Sequence, residues 1–433
     1  MSLENESNTL DLLRRTCAGL VSAELWVVGG MVIVSILYPR LLPAAVITAA
    51  FFWPQRKLSS GRWSVRTPCD YPIVLLLLMA AISGWITPLP QISYPQIYRL
   101  LSGIGLFYAM VNSCQTPQSL QLLLRIFSLG GLVLALLAPL SVDWPLGKLP
   151  LMPAEPYQRF SVLVADSVHP NVLAGTLVLL LPVTLAGLLF GWRELKAYER
   201  VLGLLSAAGM SGVVLLSLSR GAWVACGLAL LTLVILRWRW GWVAIVLALL
   251  VTATGTYWFG IARVLDLLVA SRTVGSYNGR VEVWSRALDM IQDFPFTGIG
   301  IGVFQPLADR LYPFLLFEPG KVLHAHNLFL QIAVDLGLPG LIAWLWILAV
   351  VLIHAGRAYR GGQRLNAPLF TALGAGLLCS QIALIAHGLT DAVTWGMVRP
   401  APVVWALWGA AIAAALALTK QNPLGSSEQS PVE

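Results

Sequence analysis

Stretches of almost uninterrupted apolar residues recur along this chain, at 20–37, 40–53, 71–87, 97–112, 121–140, 170–190, 200–217, 221–236, 241–259, 327–353, 368–386 and 401–419. Most approach the roughly 20 residues that cross a bilayer as a helix, and tilting or packing in a bundle accommodates the short second and fourth. In hydrocarbon every backbone N–H and C=O must find a partner within the protein, which a helix supplies from its own segment. The expected fold is therefore an all-α polytopic membrane protein with about twelve transmembrane helices. Composition agrees: 58% of the 433 residues are hydrophobic and 11% charged, against about 25% charged in a soluble domain.

The basic residues sit in short clusters between apolar runs. Arg56, Lys57, Arg62 and Arg66 follow the second run; Arg193, Lys196 and Arg200 the sixth; Arg237 and Arg239 the eighth; Arg357, Arg360 and Arg364 the tenth. Cytoplasmic loops collect Lys and Arg, and an even number of spans with both termini inside puts every cluster in the cytoplasm. The net charge of +8 then reports topology, and no nucleic-acid partner is expected. The same arrangement places 141–169, the Ser219-Arg220-Gly221 turn, a long loop at 260–326 and the 387–400 loop together on the extracytoplasmic face of the plasma (inner) membrane.

The expected organisation is a cytoplasmic segment 1–19, transmembrane helices one to nine over 20–259, the large extracytoplasmic loop 260–326, helices ten to twelve over 327–419, and a polar, disordered cytoplasmic tail 420–433. Arg14-Arg15 precede the first run with no persuasive cleavage site, so that run reads as a retained span. The five cysteines are scattered singly, without metal-ligand spacing, which points to neither a disulfide nor structural zinc.

A loop as long as 260–326 in a membrane protein calls for a function. Within it Val281, Trp284, Leu288 and Ile291 recur at helical spacing, with Glu282, Arg286, Asp289 and Asp293 on the other side. Asn278-Gly279 starts this amphipathic helix and Pro295 stops it, so it is expected to lie flat on the membrane with its apolar face down. Arg280 falls in the first turn, where free N–H groups and the helix dipole favour an anion.

Other polar residues admit two readings each. Arg220, in a tight turn between apolar runs, is either a charge snorkelling to headgroups or an anion ligand, with Gly221 allowing close backbone approach. If Arg220 and Arg280 meet, their guanidinium forks suit a diphosphate. In His324-Ala-His326-Asn327 the two imidazoles, at i and i+2 of an extended segment, point apart, which disfavours a two-histidine metal site. They are either interfacial residues before a helix capped by Asn327, or one is a proton acceptor. Asp335, inside an apolar run interrupted by Gly337 and Pro339, must face the bundle and is expected to have a basic partner. Asp391 follows His387-Gly388 where the eleventh run ends. His169-Pro170-Asn171 reads as a helix start with a possible substrate-facing role, and Gly298-Ile-Gly-Ile-Gly302 lacks the context of a dinucleotide loop.

Taken in order, Ser219-Arg220-Gly221-Ala222-Trp223, Gly279-Arg280 with Trp284, Phe294-Pro295-Phe296-Thr297-Gly298-Ile299-Gly300, and His326-Asn327 followed by Leu330 and Asp335-Leu336-Gly337 resemble the O-antigen ligase/O-antigen polymerase superfamily over about 205–345. The chain looks most similar to the cyanobacterial branch once named as putative inorganic-carbon (bicarbonate) transporters. The resemblance implies a metal-independent, inverting glycosyltransferase without cofactor. It would move a glycan from an undecaprenyl diphosphate carrier to an acceptor hydroxyl, as a ligase or a polymerase. By the same analogy Arg220 and Arg280 hold the diphosphate, His326 or else His324 serves the acceptor, and Asp391 is a supporting acid, with Asn327, Asp335 and Trp284 around them. Asp335 stands where the pattern often carries Glu. The partners implied are a lipid-linked glycan donor, a membrane-proximal acceptor and bilayer lipids.

The alternative is an inorganic-carbon transporter or an accessory to bicarbonate accumulation. Transporters tend to carry mid-membrane ionisable residues and internal repeats. Here the halves show no repeat, and the polar residues gather at one face.

Overall fold

The computed structural model describes residues 2–142, 168–259, 277–396 and 398–421. Among them there is no β-strand, only an isolated bridge between Val142 and Val168. The helices are α1 (Ser2–Ser22), α2 (Glu24–Leu37), α3 (Leu42–Ser60), α4 (Asp70–Ile86), α5 (Pro90–Ser113), α6 (Pro117–Ser141), α7 (Pro170–Gly191), α8 (Ala197–Leu216), α9 (Arg220–Arg237), α10 (Trp242–Phe259), α11 (Tyr277–Asp293), α12 (Phe304–Leu311), α13 (Leu328–Arg364), α14 (Pro368–Gly388) and α15 (Pro402–Gln421).

Each of the twelve apolar runs coincides with a helix. Among the described residues seven helices, α6 to α9 and α13 to α15, are long and apolar enough to cross a membrane. An eighth candidate is the pair Asp11–Ser22 and Glu24–Leu37, bent by 46°. The segment 1–19, expected to lie before the first span, is helical from Ser2. The 143–167 stretch, the 260–276 part of the long loop and the tail beyond 421 lie outside the described residues. The chain is an all-α, multi-pass membrane protein.

Burial sorts the helices. α7 and α15 are more than four-fifths buried and α14 nearly three-quarters, whereas α9 buries under a quarter. The first three are apolar all round and form the centre, as helices without a polar face must. α7 and α14 run antiparallel in close contact: a Cβ on Gly376 would lie 2.7 Å from Val183 Cα. This pairing puts the start of α7 beside the end of α14, and the site is built there.

The helix α11 forms as its periodicity predicts, but its buried stripe is Val283, Ala287 and Met290, with Ile291 at its edge. Val281 and Leu288, expected on the apolar face, are exposed. The stripe packs with Ile299, Val303, Phe304, Ala333 and Val334 in a second apolar cluster. Protein covers this stripe, so α11 is docked on α12 and the start of α13, while Val281 and Leu288 of the expected apolar face stay outside the contact.

The glycine run explains the docking. Ile299 N–H donates to Val334 O (2.8 Å) and Leu338 N–H to Pro295 O (2.7 Å), so the loop pairs backbone to backbone with α13 at the break where Gly337 has φ 70° and ψ 179°. Gly298 has φ +67°, and a Cβ there would lie 2.6 Å from Gly337 N. Only a residue without a side chain tolerates both that dihedral and that approach.

Candidate functional site

The centre of the site is Asp391, 5% exposed, in the turn that follows α14. Four chain segments converge on this turn. Asn171, in the first turn of α7, donates from Nδ2 to Asp391 Oδ2 at 3.3 Å. Gly221, in the first turn of α9, sits so close that a Cβ would lie 2.3 Å from Thr390 Oγ1. Asn327 caps α13, accepting from Phe329 and Leu330 N–H at 3.0 and 3.1 Å, and donates to Leu389 O at 3.2 Å. Arg280, in the first turn of α11, is close enough for its charge to act on Asp391. Four helix starts thus face one turn, and their combined dipoles favour an anion.

The two arginines are brought together. Burial lowers the Arg280 pKa from its ordinary value; Asp391 opposes this and Arg220 adds to it by repulsion. Arg280 Nε is buried without a hydrogen-bond partner among the described residues, as is Trp284 Nε1 one turn further along α11. Arg220 is the first residue of α9, whose N-cap Ser219 accepts from Ala222 N–H at 3.4 Å.

The histidine pair corrects an expectation. His326 has φ +47°, so the segment is not extended and the imidazoles do not point apart. Their ring centroids are 4.2 Å apart, and His324 Nε2 and His326 Nδ1 each lie 3.6 Å from Asp391 Oδ1. A left-handed, non-glycine residue costs on the order of 1–2 kcal/mol. Leu218, just before the Ser219 cap, has φ +52°, so strain occurs on both approaches to the site.

Partners assign the tautomers. His324 Nδ1 accepts the His326 backbone N–H at 3.2 Å, so its proton sits on Nε2, toward Asp391. Burial lowers the His324 pKa to about 4, with His326 and His169 contributing in the same direction and Asp391 opposing. His324 thus has its Nδ1 hydrogen-bonded and its Nε2 facing Asp391 at 3.6 Å. His326 turns Nδ1 to Asp391, leaving the Nε2 lone pair as the basic atom. Burial alone would raise the Asp391 pKa, but the His326 hydrogen bond and the charges of His324, His326 and His387 outweigh it and hold the carboxyl below its usual range.

His387 was not among the expected site residues, and His169 entered only as a helix start with a second, substrate-facing reading. His387 is 3% exposed, interacts with Asp391 and Arg280, and leaves Nε2 buried without a partner. His169 caps α7, its Nδ1 accepting from Asn171 N–H at 3.2 Å, and its charge reaches His324. Three of the five histidines therefore act on one carboxylate, and a fourth, His169, acts on His324. The spacing of His387 to Asp391 and the His169-Pro170-Asn171 helix start were the available signals, but neither shows where its helix points.

His324, His326 and Asp391 each offer one ligand atom, all within 4.8 Å of one another, a set able to hold a metal ion. The adjacent Arg280 and Arg220 charges oppose a cation there. Asp335 lies apart from this cluster and lacks the expected basic partner. Its donors are Trp395 Nε1 (2.8 Å), Gln331 Nε2 (2.9 Å) and Gly302 N–H (3.3 Å), all neutral. A carboxylate with three donors needs no cation to be tolerated in the interior, and this one ties the glycine loop and the 391–401 loop to α13.

The chain matches no curated protein. Residues 205–345, which hold Arg220, Arg280, Trp284, His324, His326, Asn327 and Asp335, match the family model described as O-antigen ligase. That stretch is therefore similar to an O-antigen ligase domain and covers about a third of the chain.

Proposed function

We propose that the protein transfers a glycan from an undecaprenyl diphosphate carrier to an acceptor hydroxyl at the extracytoplasmic face of the inner membrane, without a metal, inverting the anomeric carbon. The observation that carries this reading is the convergence of Arg220 and Arg280 with the His324–His326–Asp391 group on one turn. The topology that goes with it has both termini cytoplasmic, about twelve spans, and the 260–326 loop outside.

Arg220 and Arg280 bind the diphosphate, aided by the four helix starts. Arg280 Nε and Trp284 Nε1, buried and unpartnered among the described residues, are donors for which ligand oxygens are natural acceptors. The acceptor oxygen attacks the anomeric carbon from the face opposite the diphosphate. Its bond to that carbon forms as the bond from the carbon to the leaving oxygen breaks, with the electron pair departing on the diphosphate. The hydroxyl proton passes to His326 Nε2, and Asp391 stabilises the resulting imidazolium. His324, with Nδ1 hydrogen-bonded and Nε2 facing Asp391, orients that carboxylate. Thr390 and Asn327 hold the turn in place. No observation favours bicarbonate transport over this reading.

The test uses purified protein in proteoliposomes with a labelled lipid-diphosphate glycan and a candidate acceptor. Turnover that Arg280→Ala and His326→Ala abolish is the expected result. Labelled bicarbonate uptake that persists in both variants, with no glycan turnover in the wild type, would overturn it.

A further inference from the structure

The end of the bundle opposite the candidate site holds a cavity of about 810 Å³, lined by Trp53, Arg62, Trp63, Arg66, Asp70 and Tyr108 among others. Its position follows from α4. The last turn of that helix meets the glycine loop, where Ser83 Oγ accepts from Ile301 N–H at 2.8 Å, while Asp70 begins it, about 20 Å away at 1.5 Å per residue. The cavity has the size of a ligand site, which typically measures about 300–1,000 Å³.

Its wall is held in place. Arg56 donates to Trp63 O at 2.6 Å and pairs with buried Glu24 at 2.8 Å. Asn112 Oδ1 accepts from Val65 N–H at 2.9 Å, and Asp70 accepts from Thr67 N–H at 3.0 Å. The segment between α3 and α4 is thus anchored at Trp63, Val65 and Thr67. Arg62 and Arg66, which alternate with the anchored residues, are exposed and make no hydrogen bond or ion pair among the described residues. Asp70, the one acid in the lining, spends its oxygens on Thr67 and Tyr108 Oη. Lys57, which donates to Gly61 O at 2.9 Å, adds a third cation at the rim.

Two free guanidinium groups over a fixed wall are donors waiting for oxygen acceptors in fork geometry, the arrangement that suits phosphate. Trp53 and Trp63, 40% and 55% exposed, supply amphipathic rings of the kind that settle at headgroup depth. We infer that this cavity binds the phosphate of an anionic phospholipid headgroup. The site is separate from the transfer chemistry and stands whether or not that reading holds. Its occupant clamps the start of α4, whose other end carries the glycine loop.

Detergent-solubilised protein is titrated with dioctanoyl phosphatidylglycerol, dioctanoyl phosphatidylcholine and inorganic phosphate, reading bound lipid by native mass spectrometry and Trp fluorescence. The wild type is expected to retain the glycerol lipid in preference to the choline lipid. The Arg62→Gln/Arg66→Gln variant should bring that preference to parity, and Arg357→Gln/Arg360→Gln, which removes the same charge from exposed positions on α13, should leave it intact. A wild type without the preference, or a preference that survives Arg62→Gln/Arg66→Gln, overturns the proposal. Inorganic phosphate displacing the lipid at matched concentration overturns the assignment to a lipid. Both variants must melt as the lipid-free wild type does, which is expected of partnerless surface residues.

Discussion

Gly221 and Thr390 are packed so closely that a Cβ on the glycine would stand 2.3 Å from the threonine Oγ1. That contact sets the first turn of α9 against the turn bearing Asp391, and Arg220 is carried with it. Gly221→Ala is expected to push α9 outward, lower transfer sharply and cost on the order of 1–3 kcal/mol of stability through overpacking. Activity and thermal midpoint check this, and adding Thr390→Ala, which removes the closest atom, should restore part of both.

Asp391, His324 and His326 act as a unit, so their contributions should not add. Asp391→Asn and His326→Ala are each expected to slow transfer by roughly 10²–10⁴-fold, the range for a positioned general base. The double variant should be scarcely slower than either single one. His324→Gln, which keeps a neutral donor, should cost far less. Single-turnover rates in proteoliposomes decide it, and a strictly additive double variant would separate the two roles.

The acid side of the stability profile should carry the signature of His324. Its folded pKa is near 4 against an ordinary 6.5, so between those values the unfolded chain binds the extra proton and stability rises with pH. It is fully present above pH 6.5 and is lost as pH falls toward 4. Asp391, held below its usual range, contributes stability lost only at still lower pH. A melting series should show a fall on the order of 1–3 kcal/mol across that window, flattened in His324→Gln.

A chelator should leave transfer unchanged. His324, His326 and Asp391 are close enough to share an ion, but the Arg280 and Arg220 charges beside them oppose one. Activity lost in EDTA and regained with a specific divalent ion would place a metal on these three residues and reassign His326 from base to ligand.

The glycine loop should be intolerant where it meets the broken helix. Gly298→Ala places a Cβ 2.6 Å from backbone atoms at a φ of +67°, so neither the side chain nor the neighbour can yield, and loss of folded protein is expected. Gly320→Ala has a similar φ of +83° but meets only the Gln305 side-chain nitrogen, at 3.6 Å. It should cost about 1 kcal/mol, the intrinsic penalty alone. Expression with size-exclusion chromatography distinguishes the two.

What the chain states by itself is local. Each apolar run became a helix, because a backbone in lipid has no other way to satisfy its polar groups within one segment. Asn327 caps α13 and Arg280 lies in the first turn of α11 because capping and periodicity act over three or four residues. Tertiary structure decided the rest. The face of α11 that is buried is Val283, Ala287 and Met290, chosen by what α12 and α13 offer it. Trp395, Gln331 and Gly302 satisfy Asp335 where a cation was expected, because Trp395 and Gly302, sixty and 33 residues away, are invisible to spacing. His169 and His387 join the site because α7 and α14 lie antiparallel, and His324 and His326 face one carboxylate because a single left-handed φ at His326 turns the chain. Sequence spacing measures distance along the backbone, whereas a site is a set of distances across it.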